Sequence, residues 1–200
     1  MFDILDPLLL IKTVGLIGVF AIIFTESGLF FGFFFPGDSL LFTAGLLASQ
    51  GFFSFPELYF GSAIAASLGG VLGYAFGEQV GPTIFTRQDS FFFHKKHLGE
   101  AQQYYERHGI KTIILARFLP IVRTFAPILA GVGKMQYKTF LIFNVLGAFL
   151  WAFLLSGLGY YLGRVVPDPE RYILPIILFI VVLSFLPAVV KFLRTRRSVR

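Results

Sequence analysis

ESGLFFGFFFPGDSLLFTAGLLAS (residues 26–49) and IILARFLPIVRTFAPILAGVG (residues 113–133) are apolar segments, yet each contains charged residues and proline. Proline removes a helical hydrogen-bond donor and glycine permits a sharp reversal, so both segments predict broken helices. The nine residues before Pro36 would rise about 14 Å as a helix, which is about half the hydrocarbon thickness of a bilayer. We therefore predict two re-entrant hairpins, which enter the membrane and return to the same side.

The breaks in these hairpins are assigned to prolines and a glycine. Pro36 and Gly37 mark the reversal of the first hairpin, and Pro120 and Pro127 bracket that of the second. Asp38 follows the first break directly, so it is predicted near the middle of the membrane. The first hairpin is expected to enter from the outside and the second from the inside.

The whole chain has the composition of an integral membrane protein. Of its 200 residues, 56% are hydrophobic and 14% are charged, which does not fit a water-soluble domain. The absence of Cys excludes thiolate nucleophiles and cysteine metal ligands. Four apolar stretches are long enough to cross a bilayer as helices, the first with Lys12 near its entrance, and they are residues 8–24, 58–77, 139–163 and 172–190.

The basic residues predict the orientation. If both hairpins return, thirteen of the 17 Lys and Arg lie on inside segments and two lie outside, as the positive-inside rule requires. Both termini are then cytoplasmic, as is the loop of residues 78–111, which is expected to lie along the interface as an amphipathic helix. If either hairpin spanned instead, a segment with five basic residues would lie outside. Because these residues flank apolar spans, the net charge of +6 does not indicate nucleic-acid binding.

Two units of hairpin plus span therefore follow each other with opposite orientation. The predicted fold class is an all-α integral membrane protein, one transmembrane domain over residues 1–200, with about four full spans and two opposed hairpins in an inverted repeat. Small residues at intervals of four form a ridge on the span of residues 58–77, and such a ridge suits packing within one chain or between chains. The sequence therefore leaves open whether the protein forms a homo-oligomer. The ridge consists of Gly61, Ala65, Gly69, Gly73 and Gly77.

Four ionisable residues lie within the hairpins, where a charge costs about 2.5–3.5 kcal/mol and requires a partner or a task. Arginine presents a planar donor fork that suits phosphate, so Arg117 and Arg123 are predicted to bind an anionic head group. Carboxylates in a low-dielectric cavity can take up and release a proton, so Glu26 and Asp38 are predicted to couple proton movement or to gate access. The alternative is two structural ion pairs that hold the hairpins together.

Other functional classes lack the residues that they need. The three histidines, His94, His97 and His108, all lie in the inside loop. His94 and His97 are three residues apart, but no third ligand lies close to them, so no metal and no cofactor are expected. An intramembrane protease or lipid phosphatase needs a nucleophile and a base, and no predicted span or hairpin contains His. We therefore expect that the protein is not an enzyme. A channel or a structural role stays open, because broken hairpins can form an ion path.

Several short motifs occur together in the chain: Glu26, Phe35-Pro36-Gly37-Asp38, Ala44-Gly45, Gly73-Tyr74, Gly77, Arg117-Phe118-Leu119-Pro120-Ile121-Val122-Arg123 and Ala130-Gly131. In these motifs the chain resembles the DedA family of bacterial membrane proteins, also called SNARE-associated or VTT-domain proteins. The resemblance extends over about residues 16–163. The two arginines around Phe and Pro, with Ala-Gly downstream, form the most specific motif. Many members have Glu where this chain has Asp38, which keeps the charge on a shorter side chain.

This resemblance implies an acidic pair on the first hairpin and two arginines on the second, which correspond here to Glu26, Asp38, Arg117 and Arg123. It also implies movement of an anionic lipid across the bacterial cytoplasmic (inner) membrane. The lipid is undecaprenyl phosphate in some members and a phospholipid in others, and the proton-motive force often drives the movement. We therefore expect a lipid transporter, or flippase. The alternatives are a scramblase without ion coupling and a channel or structural membrane protein.

Overall fold

The computed structural model of the chain describes residues 7–29, 37–86, 114 and 117–165, and this part is all-helical. Its five helices are α1 (Pro7–Gly28), α2 (Gly37–Ser49), α3 (Phe55–Thr86), α4 (Pro120–Val132) and α5 (Tyr137–Val165). The predicted span of residues 172–190 and most of the predicted interfacial loop lie outside the described residues.

Two of the helices are long and apolar enough to cross a bilayer. They provide the stretches Phe55–Val80, of 26 residues, and Tyr137–Val165, of 29 residues, where about 20 suffice. The predicted helices of residues 58–77 and 139–163 are thereby confirmed as long apolar helices. α3 continues beyond its predicted end, through residues 78–86, which the sequence analysis assigned to the loop.

Helix α1 contains the predicted span of residues 8–24 but is not one regular helix. Gly15 has φ 62° and ψ −163°, a left-handed conformation that glycine adopts without the penalty of a Cβ. The helix therefore consists of two pieces that join at Gly15. The second piece continues through Glu26, so this carboxylate projects from the last turns of a helix.

A short helix precedes each long one. Helices α2 and α4 both have 13 residues and rise about 20 Å, which is less than the hydrocarbon thickness. Gly37 opens α2 and Pro120 opens α4, and proline is favourable there because the first helical N–H has no intrahelical partner. Pro36 lies outside the described residues.

Pro127 differs from its predicted role as a break. It lies inside α4, which continues to Val132. A helix in a membrane tolerates proline where neighbouring groups satisfy the freed carbonyl, and α4 packs along α3 at this position, with the Pro127 ring beside Gly73.

Each unit consists of a short helix and the long helix that follows it, α2 with α3 and α4 with α5. The short helices are exchanged, because each packs mainly against the long helix of the other unit. Helix α2 packs mainly along α5, α4 packs mainly along α3, and α1 also packs along α3. Small residues let these backbones touch, because a Cβ at Gly45 would collide with the Ser156 carbonyl and one at Gly77 with the Ile128 carbonyl. The predicted ridge on α3 faces α1 and α4, so it packs within this chain.

The described part of the molecule has an apolar exterior, and its apolar core also contains polar and charged residues. Large side chains on α3 recur at intervals of four and are about half exposed, and they are Phe60, Ile64, Leu68, Leu72 and Phe76. Buried polar residues face the interior, and they include Glu26, Thr43, Ser62, Arg117, Arg123 and Asn144. A lipid-facing surface requires this distribution, since charges in a membrane protein turn toward the interior of the helix bundle.

The contact between α2 and α5 predicts unequal effects for two glycines on α5. A Cβ at Gly159 would collide with the Phe42 carbonyl, whereas one at Gly157 meets nothing within 4 Å. We expect Gly159→Ala to lower the free energy of unfolding by about 1–3 kcal/mol and Gly157→Ala to leave it unchanged or slightly raised. Thermal unfolding of the purified variants in detergent measures both, and equal midpoints would contradict the close packing of α2 on α5.

Candidate functional site

Three of the four predicted charged residues meet where α1 ends and where α2 and α4 begin. Arg123, in the first turn of α4, contacts Glu26 through Nη2 and Asp38 through Nη1, the latter at 2.6 Å. We call Glu26, Asp38 and Arg123 the ion triad. Its members come from three helices, and Arg123 is 85 residues from Asp38 and 97 from Glu26, so the triad joins α4 to both α1 and α2.

The ion triad is largely removed from solvent. The side chains of Arg123 and Glu26 are 2% and 4% exposed, whereas that of Asp38 is 20% exposed. Buried charges persist only when they are paired and hydrogen-bonded, and both ends of the Arg123 fork have a carboxylate. Asp38 is therefore the member of the triad that solvent reaches most easily.

Glycine at position 37 makes room for the carboxylate of Glu26. The Gly37 backbone N–H donates a hydrogen bond to that carboxylate, and a Cβ on Gly37 would occupy the space of the Glu26 oxygens. The Thr124 hydroxyl donates to the Glu26 backbone carbonyl at 3.2 Å. Gly37, which is predicted to mark a chain reversal, permits the close approach of an acidic side chain.

Trp151, on α5, contacts two members of the triad, Asp38 and Arg123. Its Nε1–H donates to Asp38 Oδ1 at 2.9 Å, and its ring lies 4.8 Å from Arg123 Cζ. A guanidinium over an indole ring gains a cation–π attraction, which is larger in a desolvated position. Trp151 is 2% exposed, so it both orients Asp38 and shields the positive charge.

Arg117 lies just before α4 and has a different kind of partner. Its Nη2 donates to Asn144 Oδ1 at 2.6 Å and to the Ala66 carbonyl at 3.2 Å. Asn144 Nδ2 in turn donates to the Ser67 carbonyl at 2.9 Å. Both side chains are buried. Among the described residues no carboxylate pairs with Arg117, and its Nη1 has no hydrogen-bond partner.

The two arginines are therefore unequal, although they are close enough for their charges to interact. Two matched ion pairs were the structural alternative from the sequence, whereas the described residues form one triad and one arginine held by an amide. The roles predicted for the four charged residues, phosphate binding and proton coupling or gating, stay predictions.

Asn144 and Trp151 were not predicted as site residues from the sequence. They are the sole Asn and the sole Trp of the chain, and their spacing of seven places them on one face of α5, two turns apart. A polar amide and an indole on one face of an otherwise apolar span were the available signal, because a side chain of either type needs a hydrogen-bond partner when it is buried.

The described residues contain no group of three or more His, Asp or Glu that could hold a metal ion. The three histidines of the predicted interfacial loop lie outside those residues. The chemistry that this arrangement supports is the binding of ions and dipoles.

An apolar exterior, two long apolar helices and buried charges at the ends of shorter helices are consistent with an α-helical membrane protein. A family model described as the VTT domain matches residues 35–161. The chain belongs to this family, the DedA family.

Among its relatives, Protein DedA of Escherichia coli (strain K12) is 42% identical over 182 residues, which cover 90% of this chain and 83% of that protein. An uncharacterized membrane protein of Mycobacterium leprae (strain TN) is 41% identical over 192 residues, or 93% of this chain and 86% of the relative. The protein named Inner membrane protein YqjA of Escherichia coli (strain K12) is 33% identical over 146 residues, which cover 73% and 66%. No solved structure matches the chain significantly.

Proposed function

We propose that this protein moves a phosphate-bearing lipid, undecaprenyl phosphate or a phospholipid, across the bacterial cytoplasmic membrane, with protons as the coupled ion. The observation that carries the proposal is the pair of neighbouring buried arginines, of which the triad carboxylates neutralise only Arg123. A buried, unneutralised guanidinium suits the phosphate of a lipid that enters from the bilayer.

The helix ends favour an anion at the same place. Helices α2 and α4 both begin at the ion triad, and the N-terminus of a helix carries partial positive charge and free N–H groups. In the proposed topology α2 and α4 are the inner arms of two opposed re-entrant hairpins, arranged as an inverted repeat with both termini in the cytoplasm. The exchange of α2 and α4 between the two long helices supports such a repeat.

The charges of the site give a reason for proton coupling. With all groups ionised, the triad carries −1 and Arg117 carries +1, so the site is neutral. One negative charge on a bound lipid makes the sum −1, and uptake of one proton by a triad carboxylate restores neutrality. Because an uncompensated charge inside a membrane is unfavourable, each negative charge of the lipid is expected to cross with a proton.

The test uses purified protein in liposomes that contain either undecaprenyl phosphate or ordinary phospholipid, with and without a pH gradient. We expect undecaprenyl phosphate or the phospholipid to move between leaflets faster than in protein-free liposomes. The gradient should accelerate this movement further, and the lipid should stay chemically unchanged. A dephosphorylated product would contradict transport and indicate an enzyme. Gradient-independent movement of all phospholipids would indicate a scramblase, and ion flux without lipid movement a channel.

Failure of an external, impermeant reagent to label Glu57→Cys would contradict the topology.

A further inference from the structure

Asn144 is positioned as the link between Arg117 and α3. Its amide oxygen accepts from Arg117 Nη2 and its amide nitrogen donates to the Ser67 carbonyl, so the group cannot rotate without losing one of these bonds. A Cβ on Gly70 would collide with Asn144 Oδ1, and a Cβ on Gly147 would lie 2.9 Å from Arg117 Cδ. The two glycines thus leave the space in which the amide and the guanidinium meet.

The partner of Arg117 is an amide, whereas the partners of Arg123 are carboxylates. Arg123 has carboxylates on both Nη atoms and is neutralised by them. An amide oxygen accepts the same hydrogen bond without a compensating charge, so Arg117 is held in place with its positive charge intact. Its second terminal nitrogen, Nη1, is buried and has no hydrogen-bond partner among the described residues.

We propose that Asn144 is a positioning residue that fixes Arg117 through Nη2 and keeps its charge and its Nη1 available to a phosphate oxygen. The inference rests on the proposed function and extends it, because it makes Arg117 the first phosphate contact and Asn144 the determinant of anion affinity. A buried donor without a partner is unfavourable, and a phosphate oxygen at Arg117 Nη1 would supply the missing acceptor.

The decisive variant is Asn144→Asp, which keeps the acceptor oxygen but gives Arg117 the carboxylate partner that it lacks among the described residues. Its matched control is Gln136→Glu, the same amide-to-carboxylate change at an exposed residue, whose Oε1 accepts from the Thr139 hydroxyl. Purified protein in detergent is titrated with phosphatidate, with diacylglycerol as the lipid without phosphate, and with inorganic phosphate. The thermal midpoint is followed, since a ligand of the folded state raises it.

We expect phosphatidate to raise the midpoint of the wild type and of Gln136→Glu, and diacylglycerol to leave both unchanged. In Asn144→Asp the apparent affinity should fall about ten- to hundredfold, the equivalent of one charge-assisted hydrogen bond, although the ligand-free midpoint is equal to or above that of the wild type. A shift by inorganic phosphate that Asn144→Asp also weakens would show that the site reads the phosphate group alone, which supports the proposal as well.

A purely structural role for Arg117 gives the opposite result. Asn144→Asp would then strengthen the link between Arg117 and α3 and leave the response to phosphatidate unchanged, which would overturn the inference. If Asn144→Asp does not fold, Arg117→Gln keeps an N–H donor for Asn144 without the charge, and an unchanged response in that variant would also overturn it. Absence of any response in the wild type, together with absence of transport, would instead refute the proposed function.

Discussion

Replacing Arg123 with methionine should lower the free energy of unfolding by about 3–5 kcal/mol, because it leaves the buried Glu26 and the partly buried Asp38 beside each other without a counter-ion. Methionine matches the aliphatic part of the arginine side chain but has no charge and no donor, so neither carboxylate gains another cationic partner. Thermal unfolding in detergent, followed by the fraction of monodisperse protein that remains, measures the loss. Lys138→Met is the matched control, since it removes one positive charge from an exposed position on α5.

The same experiment can separate charge from packing. Neutralising the carboxylates in the combined variant Glu26→Gln, Asp38→Asn and Arg123→Met removes the uncompensated charges, and a buried ionic cluster can often be replaced by neutral groups without loss of stability. We therefore expect the combined variant to recover part of the stability that Arg123→Met loses. An Arg123→Met protein that is as stable as Lys138→Met would show that the triad does not hold the three helices.

Asp38→Asn should separate lipid movement from the pH gradient. Asp38 is the most exposed member of the triad, so we expect protons to enter through it. In this variant the remaining charges of the site sum to +1, and a lipid with one negative charge restores neutrality without a proton. Lipid exchange between leaflets should therefore persist, whereas the acceleration by a pH gradient should be lost.

Liposomes that contain the fluorescently labelled lipid, with the gradient imposed in either direction, measure this difference. Glu57→Gln is the control, because it removes a carboxylate from the exposed first turn of α3 and should keep the response to the gradient. Gradient-driven accumulation at the wild-type rate in Asp38→Asn would contradict a role of Asp38 in coupling.

The sequence predicts the buried charges and the long helices well, since both follow from local composition. A charged residue in an apolar segment is unfavourable wherever that segment lies in the membrane, so Glu26, Asp38, Arg117 and Arg123 stand out without any structure. The distribution of partners could not be predicted in the same way. Arg123 falls in the first turn of α4, whereas Arg117 precedes that helix, and six residues of separation in the sequence do not determine which arginine reaches the carboxylates.

The roles of Asn144 and Trp151 on α5 could not be predicted by a search for charged residues, because neither residue is charged. Trp151 is 113 residues from Asp38, and Asn144 is 77 from Ser67, so these contacts depend on the packing of α5 against α2 and α3. The break predicted at Pro127 shows the same limit, because a local rule about proline does not include the neighbouring helix that stabilises α4.

The exchange of short helices between the two units also affects how the protein is made. Asp38 and Arg123 are 85 residues apart, and at 5–20 residues per second a ribosome needs roughly 4–17 s to add that much chain. During this interval both acidic groups of the triad are present without the arginine that pairs with them, and α2 has not met α5. We therefore expect full insertion of the N-terminal half to wait for synthesis of the C-terminal half, so that the order of translation affects how this protein enters the membrane.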